Sequence, residues 1–249
     1  MPDFSAALTL TIALTFLVAG IVKGVTGMGL PTVAMGMLGA VMPPVAAASL
    51  LIAPSFVTNV WQLFSGPSFA ALARRLWPMM AGIAIGAVAG SRLLASGHVT
   101  WTTMALGAAL ALYAGFSLLT RQLSVPSRHE FWLSPLVGLT TGVITGGTGV
   151  FVIPAVPYVQ ALALNKDDLI QALGLSFTVS TIALALGLAW RGAFELHGAA
   201  ASSLAVAPAL IGMWLGQNIR QRVSPASFRR WFLICLLALG CELVARPFF

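Results

Sequence analysis

The stretch GIVKGVTGMGLP, residues 20–31, places residue types that suit anion binding inside an apolar segment. Clustered glycines break a helix, and the next helix then starts with free backbone N–H groups and the positive end of its dipole. Thr26 adds a hydroxyl donor and Lys23 a positive charge. Gly27 and Gly29 are too closely spaced to form one face of a helix. We therefore expect Lys23, Thr26, Gly27 and Gly29 to line an anion site.

A second segment, GLTTGVITGGTGVFVIP, repeats this pattern at residues 138–154. Gly138 follows Gly20 by 118 positions (138 − 20), and two further glycine pairs keep this spacing. By this alignment Lys23 pairs with the uncharged Thr141, so a role for the lysine would be one-sided. The second segment is expected to supply Thr145, Gly146, Gly147, Thr148 and Gly149 to the same anion site.

A later pair of segments indicates that the whole chain is duplicated. GAVAGSR, starting at Gly86, matches GMWLGQN, starting at Gly212, at a spacing of 126 (212 − 86). We predict two transmembrane repeats, residues 1–125 and 126–249, within one membrane domain. Such repeats are common in secondary transporters, whose site lies between the halves. The glycines of these later segments, spaced as GxxxG, are expected to serve helix packing instead: Gly86, Gly90, Gly212 and Gly216.

The composition is that of an integral membrane protein: of 249 residues, 59% are hydrophobic and 8% are charged, against about 25% charged in a soluble domain. The net charge of +7 comes from basic residues at the ends of apolar runs, which indicates membrane loops and not a nucleic-acid surface. Apolar runs long enough to span a bilayer lie near residues 45–64, 77–96, 101–120, 168–190, 196–217 and 228–246.

The path of the two glycine-broken segments decides the topology. If each segment enters and leaves on one face, that arrangement collects nine basic residues on one side and three on the other, as the positive-inside rule expects. The nine are Arg74, Arg75, Arg121, Arg128, Lys166, Arg220, Arg222, Arg229 and Arg230, and the three are Arg92, Arg191 and Arg246.

We therefore predict an all-α polytopic membrane protein of two inverted repeats with about five helical segments each. Each repeat opens with a glycine-broken helical hairpin, and the two glycine tips are expected to meet inside the membrane. The second arm of each hairpin, Gly29 to Met42 and Val150 to Leu164, is predicted to be a short helix. Eight conventional spans are the alternative.

Four further polar residues are open to two interpretations. Lys23 either binds the anion or extends to a membrane interface. Arg92, near the end of a span, either extends to a membrane interface or attracts an anion. Asn59 and Ser176 either line a polar path or form interhelical hydrogen bonds. The histidines lack metal-ligand spacing, no cofactor is expected, and no mid-membrane carboxylate is available as a proton relay.

The two glycine-rich motifs, with Pro31 in the first and Pro154 in the second, resemble the paired motifs of the sulfite exporter TauE/SafE family of membrane permeases. The resemblance extends over nearly the whole chain, although Pro31 comes earlier in its motif than Pro154 does. It implies transport of small anions across the inner membrane, with sulfite and organosulfonates such as sulfoacetate as substrates. The expected partners are such an anion and the lipid bilayer, without nucleic acid, and a homo-oligomer stays open.

Three functions are compared on this basis. The favoured one is a secondary transporter working by alternating access between the repeats, and an anion channel on the same scaffold is the alternative. An intramembrane enzyme would need a nucleophile with a base or a metal cluster. The sequence offers neither arrangement, so we do not expect catalysis.

Overall fold

The computed structural model describes residues 6–119, 124–193 and 202–248, and these residues form helices without any β-strand. Residues 194–201, where the predicted span 196–217 begins, and Arg121 lie outside the described residues. The helices are α1 (Ala6–Thr26), α2 (Leu30–Gly39), α3 (Pro44–Leu63), α4 (Phe69–Leu94), α5 (Val99–Leu119), α6 (Ser127–Thr148), α7 (Ala155–Gln160), α8 (Lys166–Trp190), α9 (Val206–Arg220) and α10 (Pro225–Ala245), followed by a 3-10 turn (Arg246–Phe248).

Six of the described helical segments are long and apolar enough to cross a membrane: α1, α3, α4, α5, α8 and the segment Ala226–Phe248. This confirms the predicted all-α polytopic class. Helix α4 begins at Phe69, eight residues before the predicted start at 77 (77 − 69). The added turns carry Arg74 and Arg75, whose charges had marked the region as a loop. The predicted boundary at residue 125 lies between α5 and α6.

The short arms of the two hairpins differ from the prediction and from each other. Helix α2 has ten residues and α7 only six, so the predicted helix from Val150 is wrong over its first five residues. Proline disfavours the helical conformation of the residue before it, and Pro154 thereby keeps Ile153 out of a helix. Pro31 instead lies in the first turn of α2, where its missing N–H breaks no helical hydrogen bond.

Glycines bring the helices together in two equivalent pairs, α1 with α9 and α6 with α4. A Cβ on Gly24 would lie 2.3 Å from the carbonyl oxygen of Met213, and one on Gly146 would lie 2.2 Å from that of Ala87. Backbone contact of this kind tolerates no side chain. The predicted packing role is confirmed for the GxxxG glycines, where a Cβ would lie 2.1–2.4 Å from a carbonyl oxygen: Gly86, Gly90, Gly212 and Gly216.

Helices α3 and α8 pack against each other at the centre of the molecule. They run antiparallel, since Gly66 just beyond the end of α3 lies beside Gln171 near the start of α8. Gln171 donates hydrogen bonds to the carbonyl oxygens of Leu63 and Gly66 at 2.7 Å each. A buried amide that satisfies a helix end in this way fixes the register between α3 and α8.

Candidate polar site at the bundle centre

Lys23, in the last turn of α1, is buried with 3% of its surface exposed. Its Nζ donates hydrogen bonds to Oγ1 of Thr58, at 3.1 Å, and to Oδ1 of Asn59, both on α3. Long side chains on a helix point back toward its N-terminus. Its burial and its partners on α3 therefore place the lysine side chain inside the helix bundle.

A hydrogen-bond network continues from Lys23 to the central helix α8. Nδ2 of Asn59 donates to Oγ1 of Thr181 at 3.3 Å, and the Thr181 hydroxyl donates to the carbonyl oxygen of Phe177 at 2.7 Å. Thr181 lies 15 residues from the start of α8 (181 − 166) and nine from its end (190 − 181). The network is thus near the middle of a helix of membrane-spanning length.

Nζ of Lys23 has no carboxylate partner among the described residues. The ion pairs there join Arg75 to Glu130 and Arg246 to Glu242, and neither includes the lysine. Burying an unpaired charge costs several kcal/mol after relaxation. A bound anion would remove this cost, whereas the amide and hydroxyl oxygens around Lys23 compensate only part of it.

The first glycine break is closed by its own threonine. Gly27 and Gly29 have φ of 77° and 99°, in the left-handed region that favours glycine. Oγ1 of Thr26 is within hydrogen-bond distance of the carbonyl oxygens of Val22 and Met28, at 2.8 and 2.7 Å. The hydroxyl proton therefore bonds to the broken backbone, which removes Thr26 from the predicted anion donors.

The second break has the same turn. The hydroxyl of Thr148 donates to the carbonyl oxygen of Ile144 at 2.7 Å and accepts from the N–H of Val150 at 3.2 Å. Thr145 Oγ1 donates to the carbonyl oxygen of Val150 at 3.3 Å. Both hydroxyls thus satisfy backbone groups freed by the break, as that of Thr26 does, and neither is a free anion donor.

Gly149, with φ of 72°, brings the second break against the first hairpin. A Cβ at this position would lie 2.8 Å from Sδ of Met35 on α2. Gly146 and Gly147 do not belong to the break, since α6 continues to Thr148. Gly146 packs on the α4 backbone, and Gly147 lies against the side chain of Leu93. Their predicted cavity-lining position is therefore corrected to a helical one.

The turns also correct the alignment of the two segments. Thr26 corresponds to Thr148 and Gly27 to Gly149, a spacing of 122 (148 − 26) and not 118. The difference of four residues is one helical turn. Glycines recur every four residues along α6, so glycine matching alone leaves the register undefined by one turn. In the corrected register Thr145, not Thr141, corresponds to Lys23.

A family model described as Sulfite exporter TauE/SafE matches residues 12–243. The chain belongs to this family. It is also 27% identical over 232 residues to a protein of Cupriavidus necator named probable sulfite/organosulfonate exporter TauE, covering 88% of this chain and 87% of that protein. No solved structure matches. As a TauE/SafE protein with several apolar membrane-length helices, the chain is a multi-pass membrane transporter.

The structure separates the remaining predicted residues of this TauE/SafE transporter. Asn59 joins Lys23 in the network, whereas Arg92 is exposed in the last turn of α4. Ser176 is buried on α8, and its hydroxyl has no hydrogen-bond partner among the described residues. Sequence reasoning missed Thr58 and Thr181, because a threonine in an apolar helix carries no signal of the helix face it occupies.

Proposed function

We propose that this TauE/SafE family member transports a small sulfur-containing oxyanion, sulfite or an organosulfonate such as sulfoacetate, bound beside Lys23. The observation that carries the proposal is a buried lysine amino group without a carboxylate partner among the described residues. A polar residue held inside a membrane at such cost usually marks a substrate pathway. The name of the Cupriavidus necator relative supports this choice of substrate.

Unpaired hydroxyls on the two central helices support an oxyanion ligand. Ser55 on α3 and Ser176 and Ser180 on α8 are buried, and no group in the described part of the chain forms a hydrogen bond with their Oγ atoms. Ser55 and Asn59 are four residues apart, so they share one face of α3. Buried hydroxyls are normally satisfied. The oxygens of a sulfonate or sulfite would accept their hydrogen bonds together with one from Lys23.

Alternating access between repeats 1–125 and 126–249 is the mechanism we propose. Its support is the exchange of partners between the halves: α1 of the first half packs on α9 of the second, and α6 of the second packs on α4 of the first. Arg75 pairs with Glu130 near the starts of α4 and α6, and Arg191 donates to Ser91 where α8 and α4 end. We propose that the end of the bundle where α4 and α6 start, with its basic residues, faces the cytoplasm. The membrane we propose is the inner membrane.

Anion binding to the purified protein tests the site. Sulfite, sulfoacetate, sulfate and acetate are compared by ligand-dependent thermal shift on the wild type, Lys23→Gln and Arg92→Gln. We expect the sulfur oxyanions to stabilise the wild type and Arg92→Gln but not Lys23→Gln. Equal stabilisation of Lys23→Gln would remove the lysine from the site. No stabilisation of the wild type by any anion would contradict the proposed substrate class.

Counterflow distinguishes the proposed transporter from an anion channel. Proteoliposomes preloaded with unlabelled sulfoacetate are diluted into a trace of labelled sulfoacetate. A transporter that alternates between two faces exchanges the label, so its uptake rises transiently above that of empty vesicles. A channel dissipates the gradient without this rise, and that result would replace alternating access by channel conduction.

A further inference from the structure

The hydrogen bonds around Lys23 provide acceptors for only two N–H groups. The carbonyl oxygen of Asn59 accepts one, and its Nδ2 is directed to Thr181. Thr58 accepts the other, because its own hydroxyl proton is donated to the carbonyl oxygen of Pro54 at 2.8 Å. An ammonium has three N–H donors. Its third donor has no acceptor among the described residues, whereas a neutral amine would have every N–H bonded.

Among the described residues around Lys23, no group pairs with it that could neutralise the charge of an ammonium. On α2 and α3 the sequence carries no titratable or charged side chain. The charged groups on the other helices that pack on α1 or join the network are Lys166, Asp167 and Asp168 in the first turn of α8, Arg220 at the end of α9, and Arg229, Arg230 and Glu242 on α10, together with the thiols Cys235 and Cys241. None of these forms a hydrogen bond or an ion pair with Lys23 in the described structure.

We infer that Lys23 is the proton carrier of the transporter, so that one proton moves with each anion. This inference rests on the proposed function. In the empty site the neutral amine donates to Thr58 and Asn59. When the anion enters, the nitrogen lone pair takes one proton from water on the open side, and the new N–H donates to an oxyanion oxygen.

Release on the opposite side reverses these steps. The anion leaves, the ammonium returns one proton to water on that side, and the neutral amine remains. One proton and one anion have then crossed together, and the translocated complex carries one unit less negative charge than the free anion. The empty site then holds no charge, and in the loaded site the ammonium charge is paired with the anion, so the lysine is never an unpaired charge in the low-dielectric interior.

Calorimetric titration measures this proton directly. Sulfoacetate is titrated into the purified protein between about pH 6 and 9. At each pH, two buffers that differ in ionisation enthalpy are compared, because the difference in measured heat reports the number of protons taken up. At the alkaline end we expect uptake of about one proton per anion and a Kd that rises about tenfold per pH unit. Lys23→Arg keeps a permanent charge, and we expect it to bind without proton uptake and without this pH dependence.

The outcomes separate this inference from the proposed function. Binding to the wild type without proton uptake at any pH would overturn proton coupling and leave the anion site intact. No binding would overturn the anion site, and the coupling with it. Proton uptake that persists unchanged in Lys23→Arg would assign the proton to another group and so overturn the role of Lys23.

Vesicle transport supplies a second measurement should Lys23→Arg fail to fold. Wild-type proteoliposomes are placed in an external buffer more acidic than their interior, and potassium with valinomycin holds the membrane potential at zero. Labelled sulfoacetate is present at equal concentration on both sides. We expect accumulation inside, approaching about tenfold per unit of pH difference. Failure of the pH gradient to drive accumulation, in vesicles that exchange sulfoacetate, would overturn proton coupling.

Discussion

The two halves of the chain break their first helix with the same turn but carry different chemistry one turn earlier. The N–H of Gly27 donates to the carbonyl oxygen of Lys23, and the N–H of Gly149 donates to that of Thr145, both at 2.7 Å. The lysine side chain reaches across to α3, whereas the Thr145 hydroxyl bonds within its own turn. The shared backbone geometry therefore serves the fold, and the lysine present at only one of the two positions is the residue that we propose for binding.

The largest effect is expected where the halves are most alike, at the glycine contacts. Gly24→Ala and Gly146→Ala would each place a Cβ within 2.3 Å of a backbone oxygen. We expect both variants to lose about 3 kcal/mol or more of stability, because backbone atoms must move apart. Gly115→Ala is the control, since no atom of the described residues lies within 4 Å of its Cβ position. The stability of the three variants is measured by size-exclusion profiles and melting temperatures in detergent. A large loss of stability in only one of Gly24→Ala and Gly146→Ala would show that the two helix pairs are not equivalent.

The next effect concerns the difference between the halves. Asn59→Asp places a fixed carboxylate beside Lys23, which satisfies the ammonium without a ligand. We expect sulfoacetate to bind at least about tenfold more weakly, because an internal ion pair must first be separated. The control Asn218→Asp adds the same charge at an exposed position of α9. Tighter binding to Asn59→Asp in a titration would contradict an anion site at Lys23.

A smaller effect should distinguish the two turns. Gly27→Ala meets only backbone strain, of about 1–2 kcal/mol for a left-handed residue, because its Cβ position has no neighbour within 4 Å in the part of the chain that the structure describes. Gly149→Ala has the same strain and also collides with Met35. We expect a lower melting temperature for Gly149→Ala than for Gly27→Ala.

A double-mutant cycle tests the cause of that difference. Met35→Ala should relieve part of the cost of Gly149→Ala, with a coupling of about 1 kcal/mol. Equal melting temperatures for the two glycine variants, or strict additivity in the cycle, would show that the second break does not depend on its contact with α2.

The smallest effect is expected at the threonines that close the turns. Thr26→Val and Thr148→Val each remove a hydroxyl that bonds to a backbone group freed by the break, on Met28 and Val150 respectively, at a cost of about 1 kcal/mol. Thr26→Ser and Thr148→Ser keep that hydroxyl and should melt close to the wild type. Loss of sulfoacetate binding in either valine variant, with the fold retained, would return the threonines to the anion site.

The sequence by itself determined the membrane class and the two glycine-broken segments, and it marked Lys23 as a candidate site residue. Composition and apolar run length decide whether a chain can span a bilayer, and a cluster of glycines favours a helix break close to it. The GxxxG glycines were assigned correctly because their spacing places them on one helix face. Anion binding could be assigned to Lys23 only as one of two alternatives, the other being extension to a membrane interface.

Only the tertiary structure decided which of those residues meet. It placed Lys23 against Thr58 and Asn59, kept Gly146 in a helix, and turned the hydroxyls of Thr26, Thr145 and Thr148 toward the backbone. The sequence could not show this, because a repeat of glycines every four residues fits several registers equally well. Which side chains meet in the site depends on contacts between helices that are far apart along the chain.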